Sequence, residues 1–315
     1  MNKTIPIFFS CDDKYVPFLA VDIRSLVDNA NKSYNYDIQI LNTGLDEKNY
    51  KKIESLKNSN TNISFVNVTD KMKRLGKMLH LRDYYTASIY FRIFIPNLFP
   101  QYEKAIYLDS DTTILGDISK LYEIELGDNL VGATIDQVIC SRDLFKDYAT
   151  YGVGVHYSKY FNSGMLLMNL KLMREENIEE QFINMFNKYH FDVVCPDQDY
   201  LNVLCYDRVL LLDIGWNKMS VDNNYSKKPN IIHYNMFNKP WQYDNIPYGE
   251  YFWEYAKKTD FYDEISAIKN SFSKEDELIQ ENGLNDLIKS VINIVNSDYN
   301  FKKIIFDKKG VEYER

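Results

Sequence analysis

Along its first stretch the chain alternates between short apolar runs and longer amphipathic ones. Residues 5–10 form an apolar run that predicts a strand. Pro17 opens a helical pattern, with Leu19, Ile23, Leu26 and Ala30 on one stripe. Residues 36–41 predict the next strand. Residues 47–58 predict an amphipathic helix, with Tyr50, Ile53 and Leu56 inward and a Glu47/Lys51 pair outside. Residues 63–68 again predict a strand. Strand and helix alternate, so this part reads as βαβαβ with a parallel sheet, Rossmann-like in organisation. No G-x-G-x-x-G follows the first strand, so the dinucleotide fingerprint is absent.

Further on, residues 87–99 predict a helix ending near Pro96, and residues 105–108 a buried strand. Strands are expected at 130–135, 209–212 and 231–234. The apolar run 166–170 leads into a charged helix over about 171–188, and 198–205 is a short helix. In open α/β sheets ligands bind beyond the carboxyl ends of the strands. Residues 11–14, Asp109 to Asp111, Asp136 and His233 all fall at such ends, which argues for one site. Past Trp253 the composition shifts toward charge and Asn. Leu284, Leu287, Ile288, Val291, Ile292 and Val295 mark an amphipathic helix. The reading is a catalytic domain over 1–258 and a mainly helical extension over 259–315.

The strand at 105–108 ends in Asp109-Ser110-Asp111. Two carboxylates one residue apart at a strand's end can turn toward one point, and hard oxygen ligands there suit Mg²⁺ or Mn²⁺. About two Asp-x-Asp triplets are expected by chance in a chain this rich in Asp, and a second one exists, Asp197-Gln198-Asp199. The first gains weight from its place after a strand and from matching segments elsewhere.

Composition narrows the class. A net charge of −8 argues against nucleic acid as the main partner. No apolar run approaches the roughly 18 residues that span a bilayer, and the short, quickly acidic start does not read as a signal peptide. The chain is expected to be cytoplasmic. Cys11, Cys140, Cys195 and Cys205 lack C-x-x-C spacing and read as reduced thiols. The 26 Tyr suit surfaces that stack on sugars and bases, but enrichment in Tyr, Asn, Lys and Ile together is better explained by an AT-rich genome.

Five segments in order carry a resemblance. They are Phe8-Phe9-Ser10-Cys11-Asp12-Asp13-Lys14-Tyr15, Tyr90-Phe91-Arg92, Tyr107-Leu108-Asp109-Ser110-Asp111, the run from Phe161-Asn162-Ser163-Gly164 to Leu170, and His233-Tyr234-Asn235-Met236-Phe237-Asn238-Lys239-Pro240-Trp241. Together, with Asp197-Gln198-Asp199 between the last two, they resemble glycosyltransferase family 8 over roughly residues 4–255. This family of retaining enzymes includes bacterial lipopolysaccharide galactosyl- and glucosyltransferases and glycogenin. The resemblance implies a GT-A fold, a UDP-sugar donor and Mn²⁺ (or Mg²⁺). By the same resemblance Asp109, Asp111 and His233 hold the metal. Lys239 meets the donor phosphates, together with Ser10, Ser110, Asn235 and Met236 around the nucleotide. Asp12 hydrogen-bonds a uracil ring N–H and Tyr15 stacks on the ring, with Cys11 among the nucleotide-binding residues. Arg92, Asp136, Asn162, Asp197 and Gln198 hold the donor sugar, with Gln198 near the anomeric carbon.

The bland readings differ. His233 alone would be a buried strand-end histidine, Lys239 a solvated lysine, and Asp12-Asp13 a turn or cap. Arg92 could equally pair with a buried carboxylate such as Asp197. The chain also departs from the family pattern. Asn235-Met236 stands where a glycine is common, Lys14 replaces a common Asn, and residues 81–86, which should border the acceptor, do not align cleanly.

The expected activity is Mn²⁺-dependent transfer of glucose or galactose from a UDP donor to a saccharide acceptor, forming an α-linkage. That acceptor would be a cell-surface glycan, lipid-linked sugar or glycoprotein. The alternatives are a non-catalytic nucleotide-sugar module and a hydrolase using paired carboxylates. The basic, apolar stretch 301–309 raises weak peripheral association with the inner face of a membrane. Packing of the same stretch on the domain is the favoured alternative.

Overall fold

The computed structural model describes residues 3–75 and 87–308. Among the described residues ten strands form two sheets: β1 Lys3–Ser10, β2 Tyr34–Asn42, β3 Thr61–Asn67, β4 Lys104–Leu108, β5 Thr112–Ile114, β6 Val131–Ala133, β7 Met165–Asn169, β8 Val209–Leu211, β9 Lys218–Met219 and β10 Ile231–His233. The main sheet has seven strands in the order β3-β2-β1-β4-β7-β6-β8. All its neighbours are parallel except β7, which runs antiparallel to both β4 and β6. A small sheet β5-β10-β9 continues from the end of β4.

Alternation along each strand sorts side chains between two cores. Ile5, Ile7 and Phe9 of β1, Ile106 and Leu108 of β4, and Met165 and Leu167 of β7 face one core. Phe8, Ala105, Tyr107, Leu166 and Met168 face the other. Helix Val16–Asn29 begins with Pro in its first turn and covers the first face. Phe182, Phe186, Tyr200 and Phe301 fill the second.

Several elements depart from the pattern read above. The helix expected over 47–58 stops at Glu54, with the Glu47–Lys51 pair formed at 2.7 Å. Residues 87–99 wind as a tight 3₁₀ segment, Ala87–Phe94, followed by a short α-turn, Ile95–Leu98. Pro96 lies in the first turn of that piece, where no amide hydrogen is needed, so it starts a turn instead of ending one. The charged helix over 171–188 is two helices, Leu170–Glu175 and Ile178–Tyr189, because Asn177 takes a left-handed φ of 56° between them. The strand at 130–135 shortens to β6, with Ile135 bridging to Phe161 alone. The strand expected over 231–234 is β10, Ile231–His233, and it belongs to the small sheet.

The C-terminal helix is longer than its apolar stripe suggested. It spans Lys274–Asn296 and starts at a Ser273/Asp276 capping box. Leu287, Val291 and Ile294 are its buried stripe, while Ile292 points outward. Phe261 and Ile265 belong to one core, and Leu287, Val291, Ile294, Phe301, Ile304 and Ile305 to the other. In the stretch 301–308 the apolar residues Phe301, Ile304 and Ile305 are thus packed inside, and Lys302 and Lys303 pair with Asp307. That removes the apolar half of the membrane patch. No described helix is long and apolar enough to cross a membrane. All four cysteines are free thiols.

Candidate active site

Strand β4 delivers Asp109 and Asp111, and the turn between them is fixed from three sides. The Asp109 amide donates to the Gly164 carbonyl at 2.8 Å, the Ser110 hydroxyl to the Ser10 carbonyl at 2.7 Å, and the Tyr234 amide to the Asp111 carbonyl at 2.9 Å. Pairing of β10 with β5 places His233 opposite Thr112. The ligand atoms of Asp109, Asp111 and His233 consequently lie within 4.8 Å of one another. Gly164 is the floor beneath them: a Cβ there would stand 2.2 Å from His233 Cε1 and 2.8 Å from Asp109 Oδ2.

These three side chains fit a divalent cation. His233 Nε2 lies 3.2 Å from Asp111 Oδ1, yet that buried oxygen accepts no hydrogen bond. An orphaned carboxylate oxygen beside an imidazole nitrogen is costly unless something cationic joins them. Hydrogen bonds fix which ring nitrogen is free. The Asn162 side-chain oxygen accepts from the Gly164 amide at 3.0 Å and from Asn217 Nδ2 at 2.8 Å. The amide of Asn217 is therefore oriented, and its oxygen faces His233 Nδ1 at 3.1 Å. With Nδ1 donating, Nε2 carries the lone pair and points at the two carboxylates. Asn217 sits in no motif, and nothing in its sequence surroundings marks it. Asn217→Ala is expected to lower Mn²⁺ affinity by about 10–100-fold with the fold intact. Calorimetric Mn²⁺ titration checks this, and unchanged affinity would remove Asn217 from the site.

Two buried cations flank the carboxylates. Arg92 donates through Nη2 to Asp109 Oδ1 at 2.8 Å and through Nε to the Ile89 carbonyl at 3.0 Å, and its Nη1 bonds the Ser163 carbonyl. Its Nε also pairs with Asp197 Oδ2 at 3.0 Å, and the guanidinium lies 4.3 Å from the Tyr107 ring centre. Burial disfavours its charge, but Asp109 and Asp197 outweigh that and raise its pKa above the ordinary value. Lys239 bonds Asp111 Oδ2 and the Tyr234 carbonyl, so it is a buried, paired cation and not a solvated one. Against the burial that penalises its charge, Lys239 holds Asp111 below the usual carboxylate range.

Next to this group is a closed polar net. Gln198 accepts from the Ser163 amide at 2.9 Å and from Asn162 at 3.0 Å, and donates to Asp136 Oδ2 at 3.0 Å. Asp136 also accepts from the Val138 and Ile139 amides, each at 2.9 Å. Ser163 Oγ meets Asp197 at 3.2 Å. Burial lifts Asp197 to about 6, with Arg92 opposing.

The second acid of the Asp197-Gln198-Asp199 triplet, Asp199, works inward. It accepts from Tyr148 at 2.6 Å, Tyr160 at 2.5 Å and the Cys195 amide at 3.0 Å, pinning the start of helix Pro196–Leu204. Burial pushes its carboxyl up to about 7. The folded chain then keeps a proton that the unfolded chain sheds near pH ~4, so this stabilisation fades as pH rises from about 4 to about 7. Denaturation midpoints measured at pH 5 and pH 8 should converge in Asp199→Asn relative to the parent. An unaltered pH slope would sink this assignment.

A cavity of about 860 Å³ opens over the metal group. Ser10, Tyr15, Arg92, Asp109, Ser110, Asp111, Asp136, Asn162, Asp197, Gln198, His233, Asn235, Met236 and Lys239 all line it. Cys11 and Asp12 do not: the Cys11 thiol is buried against the Asp12 carbonyl, and the Asp12 carboxylate accepts from the Tyr15 amide at 3.2 Å. Asp13 accepts from the Asp46 amide and the Asn49 side chain, as a loop tie. Met236 adopts φ 58° and Asn238 φ 61°. A bulky residue thus holds the left-handed conformation at the segment where a glycine is common. Residues 81–86 lie outside the described residues.

A mostly parallel sheet that presents an Asp-x-Asp turn, a histidine and a polar cavity at its carboxyl edge has the GT-A architecture, the fold of a class of glycosyltransferases. The chain belongs to glycosyl transferase family 8, whose model matches residues 6–245. It is 30% identical over 233 residues to a putative glycosyltransferase of Haemophilus influenzae, spanning 73% of this chain and 68% of that one. It is 26% identical to the lipopolysaccharide 1,2-glucosyltransferase of Escherichia coli, with 76% and 73% covered. Among solved structures it superposes on the galactosyltransferase LgtC, in complex with donor and acceptor sugar analogues, with a TM-score of 0.68 at 25% identity, over 81% of this chain and 96% of that one. The protein is therefore an enzyme, a glycosyltransferase.

Proposed function

We propose that the chain transfers glucose or galactose from a UDP-sugar to a saccharide acceptor, with Mn²⁺ (or Mg²⁺) held by Asp109, Asp111 and His233 and with retention at the anomeric carbon. The observation that carries this reading is the orphaned Asp111 oxygen facing an oriented imidazole at the mouth of the cavity. A bound divalent ion would offset charge on the departing diphosphate as a Lewis acid.

The chain's own groups supply the rest. Lys239 is a buried cation beside Asp111, placed to meet phosphate charge that grows as the glycosidic bond breaks. Asp136, Asn162, Asp197 and Gln198 present fixed donors and acceptors to sugar hydroxyls, each held by a partner so that little reorganisation is needed. Gln198 is a poor nucleophile, and its amide oxygen is already engaged by Ser163 and Asn162. A same-face route through an oxocarbenium-like ion pair follows. The C1–O bond breaks with its electron pair leaving on UDP. The acceptor oxygen then bonds C1 on that face, and its proton passes to the departing diphosphate.

The test is UDP release from a panel of UDP-sugars, with Mn²⁺ and with EDTA. Release from one hexose donor, abolished by EDTA, is the expected result and names the donor. UDP binding that ignores Mn²⁺ would overturn the metal assignment. Binding without turnover, whatever the acceptor, would favour the nucleotide-sugar module.

A further inference from the structure

The cavity does not end at the groups assigned to the donor. Past Asp136 its wall passes to Ile139 and Phe145, and then to Glu277, Gln280, Glu281 and Leu284. Those last four are spaced i, i+3, i+4, i+7 and so form one face of helix Lys274–Asn296. That face is polar in one turn and apolar in the next. The helix lies beyond residue 245, where the family match ends.

The wall is also firmly set. Leu287, Val291 and Ile294 anchor the helix in the core. Gln280 accepts from the Tyr243 hydroxyl at 3.1 Å and donates to Gln242 Oε1 at 3.1 Å. The amides of Gln242 and Tyr243 both donate to the Lys239 carbonyl at 3.0 Å. The helix is thereby tied to the loop that carries the phosphate-side lysine.

We propose that this face is the acceptor subsite, and that the acceptor is a saccharide carried on an apolar stem. The inference rests on the transferase reading above. Sugar hydroxyls, which both donate and accept, meet Glu277, Gln280 and Glu281. The stem meets Leu284, Ile139 and Phe145. Two carboxylates on the polar turn disfavour an anionic sugar, so the sugar portion is uncharged.

Binding of methyl and hexyl β-glycosides of glucose, galactose and N-acetylglucosamine, measured by saturation-transfer NMR with diamagnetic Mg²⁺ and UDP present, tests this. At least one hexyl glycoside is expected to bind about tenfold or more tighter than its methyl counterpart, since each buried methylene adds a favourable increment. Leu284→Asp should erase that preference. Should that variant not fold, Glu281→Ala, on an exposed turn, is expected to weaken both glycosides about fivefold or more. Equal affinity for methyl and hexyl forms, a preference that survives Leu284→Asp, or no binding of any hexyl glycoside would each overturn the assignment. Absence of UDP release from every donor would instead fall on the transferase reading, because the binding comparison does not need turnover.

Discussion

Asp111→Asn is expected to abolish Mn²⁺-dependent UDP binding and to cut sugar transfer by about 10³-fold or more, while the secondary structure persists. The substitution removes two things at once. An amide oxygen is a far weaker ligand for a hard cation than a carboxylate, so the group of three loses an anionic member. Lys239 also loses its counter-charge while remaining buried against the Tyr234 carbonyl and the Trp241 ring. A lower denaturation midpoint should accompany the lost function, since breaking a buried pair from one side leaves an uncompensated charge. Calorimetric titration of UDP with and without Mn²⁺ decides the matter. Parent-like Mn²⁺ dependence in the variant would take Asp111 out of the metal group.

The largest stability effect belongs to Arg92. Arg92→Met should cost about 3–5 kcal/mol, because Asp109 and the buried Asp197 would then lose the cation they share. The carbonyls of Ile89 and Ser163 lose a donor as well. Arg92→Lys should recover only part of this. A single ammonium cannot reach two carboxylates and two carbonyls with the geometry of a planar fork, nor lie over Tyr107 in the same way. Chemical denaturation of the three proteins side by side checks the order, and a Met variant within about 1 kcal/mol of the parent would contradict it. Both of the roles the sequence left open for Arg92 are compatible with this geometry, since the ion pair with Asp197 and the place on the cavity wall coexist.

What could be read from the chain beforehand was what local pattern encodes. Short apolar runs located β1 to β3, period-3.6 spacing located helix Val16–Asn29, and the strand before Asp109 located the carboxylate turn. The direction of β7 was not readable: a strand buried on both faces is an apolar run whether it lies parallel or antiparallel. β5 and β9 were missed because Thr112–Ile114 and Lys218–Met219 are too short to show any period. The break at Asn177 turns on one left-handed residue, which the amphipathic pattern on either side conceals. Asn217 is the instructive omission. Its role comes from a chain of oriented amides, Gly164 to Asn162 to Asn217 to His233, that exists only after three distant segments meet. The stripe of the C-terminal helix was visible, but that its polar continuation toward the N-terminus, Glu277, Gln280 and Glu281, faces the cavity depends on where the helix docks.

The close packing of Gly164 has a genetic consequence. With His233 Cε1 2.2 Å and Asp109 Oδ2 2.8 Å from where any Cβ would sit, all nineteen other side chains push two metal-group residues apart. A random missense library sorted for inactive but well-expressed protein should therefore collect alleles at codon 164. It would mark as intolerant a position that has no chemistry of its own.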